Sequence, residues 1–305
     1  MGEWLEGRSL AKEIKEKIKI EVETLSEKTG KIPGLAAVLV GENKASQIYV
    51  RTKEKACQRL GLMSEVIQLP GNISSVDLTE KIQALNQRDD VHGILVQLPL
   101  PPALNPFEMI SVIDPDKDVD GFHPNSLGRL LWNQGGFKAC TPFGVMELLK
   151  SRQIKIEGAS VVIIGRSLIV GKPLAAMMTN ENGTVSVCHS RTKTLSEVAA
   201  EADILVAAMG KAAFVTEEFV KEGAVVIDVG INQLDDEEKV NLYYGDDEKR
   251  HKDLREKGYT LIGDVDPRVI DKARFLTPVP RGVGPLTVAM LMRNTLDSFK
   301  RQQKL

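Results

Sequence analysis

The sequence predicts an α/β protein of two α/β domains. The second is a Rossmann-like doubly wound parallel sheet, and a C-terminal helix returns to the first domain. Three observations carry this expectation. Short β-branched apolar runs alternate with helical spacings along the 305 residues. One run, Val161–Ile164, breaks at Gly165, and helical spacing resumes through Leu174, Ala175, Met177 and Met178. The alternation occurs twice, once before and once after residue 141. The expected boundaries are residues 1–141 with 275–305 for the first domain and 142–274 for the second.

In chain order, Ser9 to Lys28 reads as a charged amphipathic helix with Leu10, Ile14, Ile18 and Val22 on one stripe. Leu35–Val40 is a buried strand and Ala45–Leu60 a helix. Val66–Leu69, Val76–Asn86 and Gly93–Leu98 follow as strand, helix and strand. Thr141–Arg152 is a linking helix. After the Val161 strand come strands at Thr184–Cys188, Asp203–Ala208 and Ala224–Asp228. Asp235–Gly258 carries dense like charges that cannot be buried cheaply, so it reads as a solvated insertion. Tyr259–Ile262 is a short strand, and a helix from about Leu286 to Arg301 closes the chain.

Composition excludes several classes. Lysine plus arginine number 40 against 42 acids, and no basic run suggests nucleic acid. No apolar stretch reaches a membrane span. The first residues resemble neither a signal nor a transit peptide, which points to a cytoplasmic protein. Cys57, Cys140 and Cys188 show no metal-ligand spacing, and an odd count argues against a disulfide framework. Asp114-Pro-Asp-Lys-Asp-Val-Asp-Gly resembles a calcium loop but places Leu127 where a bidentate Glu is required. No metal is expected.

Several residues can carry chemistry. At the turn after Ile164, Gly165 admits close backbone approach, while Arg166 and Ser167 offer a guanidinium fork and a hydroxyl to a phosphate. The strand ending at Cys188 runs into His189-Ser190-Arg191 with no acid. A basic residue there suits a 2′-phosphate, so the pattern indicates NADP rather than NAD. Tyr49 and Lys53 lie four apart on one helix face. They form either a solvated lysine beside a half-buried ring, or an aromatic platform beside a reactive amine. Gln97 is the one polar residue in an apolar strand, either a satisfied core amide or a group aimed into a pocket. Asp120, before Gly121, is a turn former or a ligand for a polar heterocycle.

Five segments occur together in order. They are Tyr49-Val-Arg-Thr-Lys53, Gly93-Ile-Leu-Val-Gln-Leu-Pro99, Lys117-Asp-Val-Asp-Gly-Phe-His-Pro124, Gly165-Arg-Ser-Leu-Ile-Val-Gly-Lys-Pro173 and Thr277-Pro-Val-Pro-Arg-Gly-Val-Gly-Pro285. With these the chain closely resembles the bifunctional methylenetetrahydrofolate dehydrogenase/methenyltetrahydrofolate cyclohydrolase family, from about Leu5 to Phe299. The resemblance implies NADP-dependent oxidation of a tetrahydrofolate-derived substrate followed by hydrolysis, in a homodimer. It implies that Tyr49, Lys53, Gln97 and Asp120 are catalytic, with Lys53 the amine, Gln97 its orienting partner, Tyr49 stacked on the folate and Asp120 on the pterin. Leu98, Pro278 and Gly282 join the substrate side. Gly165, Arg166, Ser167, Ser190, Arg191, Ile231 and Thr277 are implied for the cofactor.

Two departures stand out. Arg281 replaces a glycine usual in the family's loop, which costs strain if that position needs a positive φ and otherwise adds a charge at the site. Ala139 and Phe143 flank Cys140-Thr-Pro142, where the more familiar pattern is Pro-Cys-Thr-Pro. The competing readings are a dehydrogenase resembling shikimate dehydrogenase, a module that kept the fold without the chemistry, and an NAD-dependent member of the same family. The first would carry a fuller glycine turn, the second would lack Lys53, Gln97 or Asp120, and Arg166 with Arg191 argues against the third.

Overall fold

The computed structural model describes residues 2–305. The chain opens with β1 (Glu3–Trp4) and α1 (Arg8–Thr29), whose buried stripe is Ala11, Ile14, Ile18 and Val22. Then follow β2 (Gly34–Val40), α2 (Lys44–Leu60), β3 (Met63–Leu69), α3 (Ser75–Asn86) and β4 (Gly93–Val96). Two short helices, α4 (Pro106–Ser111) and α5 (Pro124–Leu131), precede α6 (Cys140–Ser151). The second half runs β5 (Ser160–Ile164), α7 (Gly171–Asn180), β6 (Thr184–Cys188), α8 (Leu195–Ala199), β7 (Ile204–Ala207) and β8 (Val225–Asp228). It continues through β9 (Asn232–Leu234), α9 (Glu237–Tyr244), α10 (Glu248–Lys257), β10 (Thr260–Ile262) and β11 (Phe275–Leu276) to α11 (Gly284–Gln303).

The chain divides into two compact units. One holds the N-terminal segment through Leu10 together with Thr141–Thr287, and the other holds Ala11–Cys140 with Val288–Leu305. This differs from the ranges read in the sequence at both ends. Strand β1 pairs with β11 and β11 with β8, so these short segments join the larger sheet. Two residues per strand are too few to show any periodicity.

In the second unit a parallel sheet of order β3-β2-β4 carries helices. Every residue of β2 is buried, as its apolar run requires for a central parallel strand. Its core gathers Val38, Leu78, Ile82, Leu85, Ile94 and Val96. Strand β4 stops at Val96, two residues short of the expected Leu98, where the chain turns into a cis Leu98–Pro99 peptide. The last part of α11 packs in this unit as expected. Its Ser298 hydroxyl donates to the His92 and Asp116 carbonyls, and Lys300 pairs with Glu21.

The first unit is built on six parallel strands in the order β1-β11-β8-β7-β5-β6. Strand β5 has β6 on one side and β7 on the other, so the order reverses beside it. Such a switch point opens a crevice at the strands' carboxyl ends, where open α/β sheets hold ligands. The segment Asp235–Gly258 is largely solvated, as read, but it is folded and seats a small core of its own. The segment folds as α9 and α10 between the antiparallel pair β9 and β10. Its charges face outward on α10, which buries nothing, but Val240 is fully buried with Leu234, Ile262 and Ala213, against Tyr243, Tyr244 and Leu254. One apolar residue per turn between charges was enough to seat α9. No helix is long and apolar enough to cross a membrane among the described residues.

Candidate active site

In the second unit the site grows from α2. Asn43 caps its start by accepting from the Ser46 amide, and Gly61 ends it in the left-handed region. The buried face runs Ser46, Val50, Lys53, Cys57, Leu60. Lys53 therefore stands on the apolar stripe, only 9% exposed, while Tyr49, one turn earlier, is 47% exposed. This decides against the solvated lysine. A buried ammonium requires partners, and Nζ donates to Gln97 Oε1 at 3.0 Å. The Gln97 amide in turn donates to the Leu98 carbonyl at 2.7 Å, which fixes which end faces the lysine. The polar residue at the end of β4 thus orients an amine.

Asp120 completes the group. Burial raises its carboxyl above the ordinary carboxylate range, and the Lys53 charge and the Cys140 thiol pull it back. Glycine is required next in the chain. Gly121 has φ 74°, and a Cβ there would lie 2.5 Å from the Ala139 amide nitrogen. Asp118, not Asp120, forms the turn. Its carboxylate accepts from the Phe122 and His123 amides and the Ser126 hydroxyl, while burial raises it to about 6.

Two members of this arrangement escaped the sequence reading. Cys140 is fully buried beside Asp120, and burial pushes its thiol well up. Asn294 of α11 donates to the carbonyls of Val119 and Lys138 at 2.8 and 3.0 Å, bracing both segments that flank Asp120. In the sequence Cys140 was noted only as a cysteine without metal-ligand or disulfide spacing, and nothing near Asn294 in the chain marks it.

In the first unit, Gly165 (φ 133°) ends β5, and a Cβ there would meet the Ala208 carbonyl oxygen at 2.2 Å. Gly171 opens α7, and a Cβ there would meet the Gly165 oxygen at 2.0 Å. The turn is thus drawn close to the helix start by two glycines alone. Ser167 accepts from the Val170 and Gly171 amides, and Arg166 is exposed. Ser190 and Arg191 are exposed past β6, where the His189 ring accepts the Arg191 amide. Ile231 is exposed past β8.

Thr277 stands apart from these. It is buried, and its hydroxyl accepts from the Asp228 amide at 2.7 Å and lies 3.2 Å from the Asp228 carbonyl. Its side chain welds β11 to β8. The Asp228 carboxylate accepts the Gly230, Asp264 and Val265 amides, while burial raises it to about 7. Pro278 and Gly282 close a turn through the Gly282 amide and Pro278 carbonyl at 2.8 Å. Leu98 lies in the loop after β4, half-buried.

A parallel switch-point sheet with a two-glycine turn, and a separate α/β unit holding a buried amine beside a half-buried amide and carboxyl, define a nucleotide-dependent enzyme class. Residues 5–120 match the catalytic-domain model of the tetrahydrofolate dehydrogenase/cyclohydrolase family, and residues 139–303 match its NAD(P)-binding-domain model. The chain belongs to this family. It is 50% identical to the bifunctional protein FolD of Solibacter usitatus, covering 98% of this chain and 97% of that one. It is similar to the Campylobacter jejuni methylenetetrahydrofolate dehydrogenase/cyclohydrolase structure, at 44% identity, 99% of each chain and a TM-score of 0.89. It is also similar to the Trypanosoma brucei dehydrogenase–cyclohydrolase solved with NADP and an inhibitor, at 37% identity, 100% and 99% coverage and a TM-score of 0.90.

Proposed function

We infer that this chain is a bifunctional one-carbon folate enzyme. It oxidises 5,10-methylenetetrahydrofolate to 5,10-methenyltetrahydrofolate with NADP, then hydrolyses the methenyl compound to 10-formyltetrahydrofolate. The single observation that carries the reading, beside family membership, is Lys53 buried on an apolar helix face with Gln97 on its amine. A solvated surface lysine would need neither burial nor an orienting amide.

The first unit fits NADP. Two glycines leave a cradle that a Cβ would fill, and exposed Arg166, Ser190 and Arg191 ring the carboxyl ends of β5 and β6. NADP, when bound, accepts the hydride from the methylene carbon. Arg166 and the α7 N-terminus hold phosphate, and Ser190 with Arg191 holds the 2′-phosphate. Ile231 offers an apolar wall to the nicotinamide. Since the Thr277 hydroxyl is engaged with Asp228, that residue contributes through its backbone.

The second unit holds the folate. Tyr49 presents its ring to the aromatic part of the substrate, and Asp120 accepts from the pterin N–H groups. Leu98, half-buried in the loop after β4, adds an apolar contact in this unit, while Pro278 and Gly282 lie in the first unit and are given to the substrate side by the family resemblance alone. Hydride transfer depends chiefly on alignment. Hydrolysis needs a base. Water adds to the amidinium carbon, and Lys53, acting as the neutral amine and aligned by Gln97, takes one of its protons and returns it to N5 as that nitrogen leaves. The second proton of the water leaves to solvent.

The reading is tested by supplying methylenetetrahydrofolate with NADP or NAD and following the reduced nicotinamide, with methenyl loss followed separately. Turnover with NADP and enzymatic methenyl hydrolysis is the expected result. Lys53→Met should lower hydrolysis by about 10²-fold or more while part of the hydride transfer survives. Full hydrolysis in that folded variant would falsify the role of Lys53. The family resemblance further supports a homodimer working in the cytoplasm. Sedimentation returning the mass of one chain would remove the dimer.

A further inference from the structure

We propose that Arg250, in the helical insertion, is a positioning residue for the Thr277–Pro285 loop. This rests on the folate-enzyme reading above, because that loop carries Pro278 and Gly282. The Arg250 guanidinium lies over the Tyr244 ring, 4.1 Å from its centroid. It donates to the Leu261 carbonyl on β10 and, through its other terminal nitrogen, to the Val279 carbonyl at 2.5 Å. One planar group thus ties the insertion's aromatic floor, its closing strand and the middle of the loop together. The fork geometry of arginine suits two diverging carbonyls, and the ring face holds the plane of the fork.

The loop needs such a brace. A pocket of about 420 Å³, lined by Tyr243, Tyr244, Arg250, Pro278 and Val279 among others, separates it from close packing there. Two residues beyond Val279, Arg281 holds φ at 93°, a conformation that a side chain disfavours. Other ties in this turn include the Gly7 amide on the Arg281 carbonyl, the Gly282 amide on the Pro278 carbonyl and the largely solvated Arg281–Glu6 ion pair. Helix α10 fully buries no residue, and besides Leu254, which packs on the small core, Arg250 is a second tie from this helix to the rest of its unit.

A residue that holds a binding loop in place stabilises the ground and transition states alike, so its loss raises KM and spares kcat. Arg250→Ala and Arg250→Lys should be compared with the parent and with Arg255→Ala on the same helix. The readouts are both activities and amide exchange of the peptide spanning 275–286. The expected result for Arg250→Ala is KM for the folate substrates about ten-fold higher, kcat within about two-fold, and faster exchange of the loop. Lysine should rescue part of both effects, and Arg255→Ala should behave as the parent. Unchanged KM in an active enzyme overturns the proposal whatever the exchange shows. A raised KM without faster loop exchange overturns it too, since the effect then bypasses the loop. If the alanine variant fails to fold, the lysine variant carries the same two measurements. A parent inactive on folates would sink the function, and the loop exchange would still decide whether Arg250 holds the loop.

Discussion

At the scale of single residues, two side chains stand in environments that work against them. Arg281 has φ 93°, and its ion pair with Glu6, 3.6 Å apart and largely solvated, offsets little of that cost. Arg281→Gly should raise stability by about 1 kcal/mol, the relief of strain less the greater freedom of glycine in the unfolded chain. A urea midpoint at or below the parent's would show that the turn is not strained. His92 is 1% exposed. Its Nδ1 accepts the Gly34 amide, while Nε2 has no partner. Burial, then Lys117 and Lys31, push its pKa down to about 4. The unfolded chain takes up this proton near pH 6.5 and the native state only near 4. Stability is therefore whole above pH 6.5, falls between 6.5 and 4, and levels off below. The loss is about 3 kcal/mol. Asp118 and Asp228, raised by burial, act in the opposite sense, so the measurement is a difference. The gap in unfolding free energy between the parent and His92→Asn, which keeps an acceptor without titrating in this range, should change across that window. A gap constant from pH 7 to 4 would dispose of the idea.

At the scale of elements, the β5–α7 turn shows how close approach is written into a chain. A methyl group at Gly165 would land 2.2 Å from the Ala208 carbonyl oxygen, a backbone atom that cannot swing aside. Gly165→Ala should cost about 2 kcal/mol, and weaken NADP more than folate, because the strand end must retreat from the phosphate turn. Equal stability with unchanged KM for NADP would mean that the turn tolerates a side chain. The insertion teaches a different lesson. Its density of charge marked it only as a solvated insertion, yet Asp236 and Asp247 cap two helices, accepting from the Lys239 amide and from the Lys249 and Arg250 amides. Acids at helix starts are structure-forming rather than merely solvating.

At the scale of the whole molecule, the chain passes between its two units at Leu10, Cys140 and Thr287, so each unit is assembled from distant pieces. Asn294 shows the consequence. From the last helix it donates to two carbonyls more than 150 residues earlier, on either side of the Asp120 turn. Asn294→Ala would leave both carbonyls buried without those donors, at about 2 kcal/mol. Hydrolysis should fall with stability, while NADP binding in the other unit should hold. Loss of NADP affinity to the same degree would show that Asn294 does not act through its own unit alone.

Most helices and central strands were legible in the chain, because buried parallel strands and amphipathic helices repeat at periods that local sequence displays. The glycine turn, the Arg191 strand end and the four residues Tyr49, Lys53, Gln97 and Asp120 stood out by residue type and place, while their roles were implied only by the family resemblance. Strands β1 and β11 were not, since two residues have no period and exist only by pairing with β8 and each other. The charge density of α9 and α10 hid that Val240 completes a small core. The residue pattern alone left the alternatives for Lys53 and Gln97 open, and the family resemblance pointed to the amine and its orienting amide. Burial on the α2 stripe and a 3.0 Å bond across 44 residues chose between them. Local chemistry determined which groups were available. Only the tertiary structure decided which of them lose water together, and that loss is what turns an amine, an amide and a carboxyl into a site.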